Sequence, residues 1–190
     1  MQNSSTMTEI DRASLLARLA GRPIVFIGLM GAGKTVIGRQ VADALDIPFI
    51  DSDEEIEQVS RMTIPELFQR YGEPEFRALE RRVIKRLLRG GTRVLSTGGG
   101  AYMNAATRRQ IARRGVSIWL RADLDTLMAR VMRKRNRPLL RNDDPRATME
   151  NLISERYPVY GEADITVDTR NERKELVVEA ALQALDRFLD

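Results

Sequence analysis

Apolar residues follow two rhythms along this chain. Short unbroken runs, bounded by Gly or Pro, alternate with longer stretches in which apolar positions return every three or four residues. Ile24-Val25-Phe26-Ile27, set between Pro23 and Gly28, is the clearest run. A strand that is apolar on both faces belongs inside a parallel sheet. Pro48 to Ile50, Arg93 to Ser96, Val116 to Leu120 and Ile165 to Val167 read as four more short strands. The helical rhythm runs over Thr8 to Ala20 and stops at Gly21-Arg22-Pro23. It returns at Lys34 to Leu45, with Val36, Ile37, Val41, Ala44 and Leu45 facing inward. Glu75 to Arg89 carries Phe76, Leu79, Val83, Leu87 and Leu88 at the same period, and Glu175 to Leu189 forms a closing helix. Between Asp53 and Glu75 the helical signal breaks near Thr63 and Gly72, and Thr63 with Glu66 has the spacing of a capping box. Strands alternating with helices predict an α/β three-layer sandwich: a five-stranded parallel sheet with helices on both faces. Ligands of such sheets sit at the carboxyl ends of the strands.

Composition narrows the chemistry. The 190 residues suit one domain. We expect a single domain over 22–190, preceded by an extension over 1–21 that is partly helical and packs on it. Cysteine and histidine are both absent. That removes disulfides, thiolate and zinc–cysteine chemistry, and every catalytic or metal-binding arrangement built on imidazole. Catalysis must then use carboxylates, Lys, Arg, hydroxyls, backbone amides or a borrowed metal. The formal charge is only +4, and lysine occurs only at Lys34, Lys85, Lys134 and Lys174. The abundant arginines suit phosphate and carboxylate, but no basic tail or aromatic-studded stripe points to nucleic acid. The apolar stretch from Ile24 to Met30 is too short to span a bilayer. The polar start lacks a signal core. We expect a cytosolic monomer with no membrane partner.

Gly28-Leu29-Met30-Gly31-Ala32-Gly33-Lys34-Thr35 fits G-x-x-x-x-G-K-[ST] without a mismatch, with a strand before it and a helix after it. The glycines let the backbone fold round an anion, and the helix N-terminus adds positive potential. Lys34 should reach the β- and γ-phosphates of a nucleoside triphosphate, and the Thr35 hydroxyl should ligate Mg²⁺. The core is therefore of the P-loop NTPase type. The dinucleotide pattern G-x-G-x-x-G is not matched. A guanine-selecting N-K-x-D is absent, which argues against a switch GTPase, and the short chain argues against a motor. A small-molecule kinase is left.

Further motifs follow in order: Asp51-Ser52-Asp53, Gly72-Glu73-Pro74-Glu75-Phe76-Arg77, Thr97-Gly98-Gly99-Gly100, Arg137-Pro138-Leu139-Leu140 and Arg156-Tyr157-Pro158-Val159-Tyr160. Together with the phosphate loop this pattern closely resembles the shikimate kinase family over roughly residues 22–170. The resemblance implies the reaction shikimate + ATP → shikimate 3-phosphate + ADP, with Mg²⁺. It also implies a substrate-binding region over about 51–90 and a lid over about 130–146. Gly31, Ala32, Gly33, Lys34, Thr35 and Val36 would contact the nucleotide. Asp51 would take the metal side with Thr35, and Asp53 would bind the acceptor hydroxyl. Arg77 and Arg156 would bind the acceptor's carboxylate, and Gly98, Gly99 and Gly100 its hydroxyls. Arg137 would be the lid arginine that stabilises the transferring phosphoryl, and Arg130 would stack near adenine.

The residues also carry readings of their own. Two aspartates two apart at a strand end share a side if the chain stays extended. Beside a triphosphate one can serve the metal and the other orient or deprotonate a hydroxyl. They equally fit the cap of the next helix, where Glu54 and Glu55 follow. Arginine can bind a carboxylate through two parallel hydrogen bonds, whereas Arg77 alone reads as a surface ion pair with Glu80. Three glycines permit close approach of a polyol, or make a tight turn. The run from Arg130 to Arg141, with six basic residues and no acid, reads as a solvated loop or as a lid closed by anions. The turn Asp168-Thr169-Arg170-Asn171 is a candidate to complete the adenine site. The rivals are a related kinase acting on gluconate or another hydroxy acid, and a nucleotide-dependent regulatory or nucleic-acid-binding module.

Overall fold

The computed structural model describes residues 11–133 and 144–190. Five parallel strands form one sheet in the order β2-β3-β1-β4-β5. They are β1 (Ile24–Ile27), β2 (Phe49–Asp51), β3 (Val94–Ser96), β4 (Val116–Arg121) and β5 (Ile165–Asp168). All four residues of β1 are buried. The unbroken apolar run exists because β1 lies mid-sheet with helices over both faces.

The helices are α1 (Arg12–Leu19), α2 (Lys34–Leu45), α3 (Ser52–Ser60), α4 (Ile64–Leu87), α5 (Ala105–Arg114), α6 (Leu124–Met132), α7 (Pro145–Tyr160) and α8 (Lys174–Leu189), with a short 3₁₀ turn at Ala101–Met103. Right-handed crossovers put α2 on one face of the sheet and α4 and α5 on the other. The packing agrees: α2 contacts α8, α8 contacts α1, and α4 contacts α5.

Strand order decides where a ligand fits. The chain leaves β1 through α2 towards β2, and leaves β3 through α5 in the opposite direction, towards β4. Strands β1 and β3 are hydrogen-bonded neighbours, with Ile24 opposite Val94 and Phe26 opposite Ser96. The loops after them therefore diverge to opposite faces and open a crevice, the usual ligand position in such a sheet. The phosphate loop follows β1 and the glycine triplet follows β3, so the topology puts both on that crevice.

Several boundaries depart from expectation for identifiable reasons. The first helix begins at Arg12, because Asp11 caps it by accepting from the Ala13 and Ser14 amides. Thr63 and Glu66 form the capping box and the helical signal does break at Gly72, where the backbone turns out of helical geometry (φ 78°), but the two stretches join in one element, α4. Strand β2 stops at Asp51, and Ser52 already belongs to α3. Helices α5, α6 and α7 lie in stretches where the sequence had predicted no element. Arg130 sits in the last turn of α6, and Pro145 and Arg146 open α7. The expected lid of about 130–146 is thus helical at both described ends. Its middle, with Arg137, lies outside the described residues.

Helix α1 packs on the core. Leu15 and Leu19 are fully buried in the common core. Arg18 ties α1 to α8 through the Asp186 carbonyl (3.1 Å), the Asp186 carboxylate and Asp190 (2.5 Å).

Candidate functional site

The phosphate loop is wrapped round its own lysine. The Lys34 ammonium donates to the Gly28 carbonyl at 2.8 Å and the Leu29 carbonyl at 3.1 Å. Gly31 adopts φ 85°, and a Cβ there would come within 2.9 Å of Val131 on α6. Only glycine suits both the dihedral and the space. Gly33 caps α2 without a side-chain hydrogen bond, and the first turn of that helix faces the loop. Val36 lies in the first turn of α2 and is half-buried.

Arg130 lies between this loop and the turn after β5. Its guanidinium donates to the carbonyls of Gly31 and Ala32, each at 3.3 Å, to the Thr169 hydroxyl at 3.0 Å and to the Arg170 carbonyl. Asp168 is held by Arg121 through two hydrogen bonds, at 2.6 and 2.9 Å. Within that turn Thr169, rather than Asp168, meets Arg130.

The two aspartates do not share a face of an extended strand. Asp51 ends β2 in extended geometry and caps α3, accepting from the Asp53 amide at 3.0 Å, so the capping reading holds for it. Its other carboxylate oxygen accepts from the Thr35 hydroxyl at 3.0 Å. One side chain therefore both starts a helix and faces the phosphate loop. Asp53 sits in the first turn of α3, aimed elsewhere: its carboxylate would lie 2.8 Å from a Cβ on Gly98.

The glycine triplet gathers the acceptor-side candidates. A Cβ on Gly98 would strike Asp53, a Cβ on Gly99 would come within 3.2 Å of Arg156, and one on Gly100 would come within 2.6 Å of Arg77. Each glycine thus lies against one of the three side chains assigned to the acceptor, closer than a Cβ would ordinarily sit. The loop is itself anchored. The Thr97 hydroxyl donates to the Phe26 carbonyl at 3.1 Å, and the Gly98 amide donates to buried Ser52 at 3.3 Å. Thr97 and Ser52 were not singled out from the sequence, although both lie inside motifs that were.

Arg77 is more than a surface pair. It donates to Glu80 at 2.8 Å and to Glu73 at 3.2 Å, and Glu80 is only 2% exposed. Burial opposes the charge on Arg77, but the two carboxylates outweigh it and raise its pKa. Glu80 is raised chiefly by burial, with Arg77 pulling it back. Asp53 is pushed up to about 6. Burial is the main cause, helped by the charges of Asp51 and Glu80 and opposed by Lys34. A carboxyl poised near neutrality beside a phosphate loop is equipped to take a proton from an alcohol.

Tyr157 and Tyr160 of α7 close the far wall. The Tyr157 hydroxyl donates to the Ala122 carbonyl, and the Tyr160 hydroxyl to the Gly99 carbonyl. Trp119 of β4 stands edge-on to both rings, at 4.9 and 5.9 Å.

Known proteins similar to this chain include several shikimate kinases. The family model described as Shikimate kinase matches residues 30–186. A shikimate kinase from Mesorhizobium japonicum is 66% identical over 175 residues, covering 92% of this chain and 86% of its own. One from Brucella canis is 54% identical over 192 residues, covering 100% and 96%. Among solved structures, the shikimate kinase from Acinetobacter baumannii in complex with shikimate superposes with a TM-score of 0.83 at 36% identity, covering 89% of this chain and 95% of that one.

Proposed function

The chain belongs to the shikimate kinase family, and we propose on that premise how its cleft moves the γ-phosphate of ATP to the 3-hydroxyl of shikimate, giving shikimate 3-phosphate and ADP. The observation that carries the residue roles is the meeting of Asp53, Arg77 and Arg156 on one glycine triplet, across a crevice from the phosphate loop.

The loop amides from Gly31 to Val36 and the Lys34 ammonium hold the triphosphate. Arg130 orders the wall between the loop and the Thr169 turn, on the nucleoside side. Arg77 and Arg156 clamp the acceptor's carboxylate, and the triplet lets the ring lie against backbone. This fixes the 3-hydroxyl beside Asp53. Ionised Asp53 accepts the hydroxyl proton as the oxygen attacks phosphorus and the bond to ADP breaks. Positioning and charge neutralisation are most of what phosphoryl transfer demands, so a chain without histidine is not handicapped. Arg137, in the segment beyond the described residues, is assigned by family likeness to the transferring phosphoryl.

Thr35 and Asp51 offer a hydroxyl hydrogen-bonded to a carboxylate. Such an oxygen-only pair suits Mg²⁺, which keeps several waters and takes further ligands from substrate phosphates. Thr35 and Asp51 would hold the ion, which when bound neutralises charge on the β- and γ-phosphates.

We further read residues 22–190 as one kinase domain with the segment 1–21 as its extension, working as a cytoplasmic monomer with no nucleic-acid or membrane partner. Among the described residues no helix is long and apolar enough to cross a membrane.

The test is ADP release in a coupled assay with ATP, Mg²⁺ and a panel of hydroxy acids including shikimate and gluconate. Strong stimulation by shikimate alone is expected. Stimulation by gluconate and not by shikimate would overturn the acceptor assignment. Salt-sensitive binding to DNA or RNA without any acceptor-stimulated release would overturn the reading as a kinase.

A further inference from the structure

Arg156 stands at a weak place in its helix. Two residues on, Pro158 lies inside α7. Proline has no amide hydrogen, so the Ser154 carbonyl loses its helical partner one turn earlier. An arginine that must meet a carboxylate in a fixed direction needs support from elsewhere. The support comes from Tyr160, whose side chain is fully buried. Its hydroxyl donates to the Gly99 carbonyl, and the Arg156 guanidinium flanks the same glycine. Both groups crowd one glycine: the space beside Gly99 lies 3.2 Å from the Arg156 guanidinium and 3.8 Å from the Tyr160 oxygen. The ring is itself locked, 5.9 Å from Trp119 and 6.3 Å from each of Tyr102 and Tyr157.

We propose that Tyr160 is a positioning residue for acceptor recognition: its hydroxyl joins Arg156 to the Gly99 carbonyl and holds the guanidinium in the direction that receives the substrate's carboxylate. This rests on the acceptor reading above and names a residue that the reading did not require. Tyr157 offers a built-in comparison. It lies on the same turn and within the same ring cluster, but its hydroxyl reaches the Ala122 carbonyl and not the glycine loop.

Tyr160→Phe removes one oxygen and keeps the ring contacts. A hydrogen bond to a charged group is lost, so KM for shikimate should rise about tenfold. KM for ATP should stay within about twofold. Shikimate methyl ester, which presents no anionic carboxylate, should change by less than about twofold, so the preference for acid over ester collapses in the variant. Tyr157→Phe should lower thermal stability to a similar degree and leave the shikimate KM within about twofold. Equal losses for acid and ester, or the same acceptor defect in Tyr157→Phe, would mean general loosening of α7 and would overturn the proposal. Binding is read independently of turnover from the fluorescence of Trp119, the one tryptophan in the chain. An unchanged shikimate Kd in Tyr160→Phe sinks this inference alone. Absence of shikimate-stimulated ADP release by the unsubstituted enzyme sinks the proposed function instead.

Discussion

Asp53 holds a carboxyl where the fold resists its ionisation, and that resistance has a calculable cost. Its pKa is raised from 3.8 to about 6. The folded chain therefore holds this proton over a range in which the unfolded chain has released it. Stability associated with the group is fully present below the unfolded value and is lost as pH rises through the folded one. A shift of about two units corresponds to about 3 kcal/mol once both transitions are complete. Asp53→Asn keeps the shape and removes the charge. The variant should be more stable than the parent by up to about 3 kcal/mol at pH 7.5, and by about half of that at pH 5. Urea unfolding at the two pH values measures the difference directly. Turnover should fall in the opposite sense, by a hundredfold or more, since a positioned general base contributes about that much, while ADP still binds. Such a trade of stability for activity is common at strained sites. A stability gain independent of pH would show that the carboxyl is not strained, and near-normal turnover would show that it is not the base. Either result refutes the reasoning.

Three more outcomes follow from the same geometry. In the unsubstituted enzyme, kcat/KM for shikimate should rise with pH through about 6 and then level, as free-enzyme Asp53 becomes ionised; a flat profile from pH 5 to 8 would contradict this. Gly100→Ala would place a methyl group 2.6 Å from the Arg77 guanidinium; because the end of a long side chain yields more easily than backbone, the expected result is a shikimate KM raised about tenfold with folding intact, seen by comparing kinetics with thermal melts. Arg77→Ala and Arg156→Ala should each raise the shikimate KM far more than the ATP KM, and unchanged acceptor KM in both would remove the carboxylate clamp.

Much of this molecule can be read without coordinates, for local reasons. The four residues of β1 announce a buried parallel strand because nothing polar interrupts them. The bounds of α2 fall where the phosphate-loop pattern ends and Leu45 closes the periodic stretch. The loop is legible because anion binding by backbone imposes glycine at fixed positions. Helices α5 and α7 were missed because their periodicity is blurred: α5 carries five arginines or glutamines among ten residues, and α7 contains Pro158. The choice between a shared strand face and a helix cap for Asp51 and Asp53 stays open in the sequence for a similar reason. An N-cap and a strand end use the same residue types, and the choice between them depends on where the backbone turns.

The sequence by itself determined the chemistry available: a phosphate cradle, a set of carboxylates and arginines, and no imidazole or thiol. It also determined the α/β class, because apolar periodicity is a property of consecutive residues. Which side chains meet was decided only by the tertiary structure. Asp53, Arg77 and Arg156 are separated by more than a hundred residues of chain at the extremes, and they converge because β3 pairs beside β1 and its glycine loop opens into the crevice between diverging crossovers. Burial of Glu80, the raised pKa of Asp53 and the bridge from Tyr160 to Gly99 all arise from that convergence. Desolvation and long-range contact depend on the whole packed fold, so no local stretch of sequence encodes them.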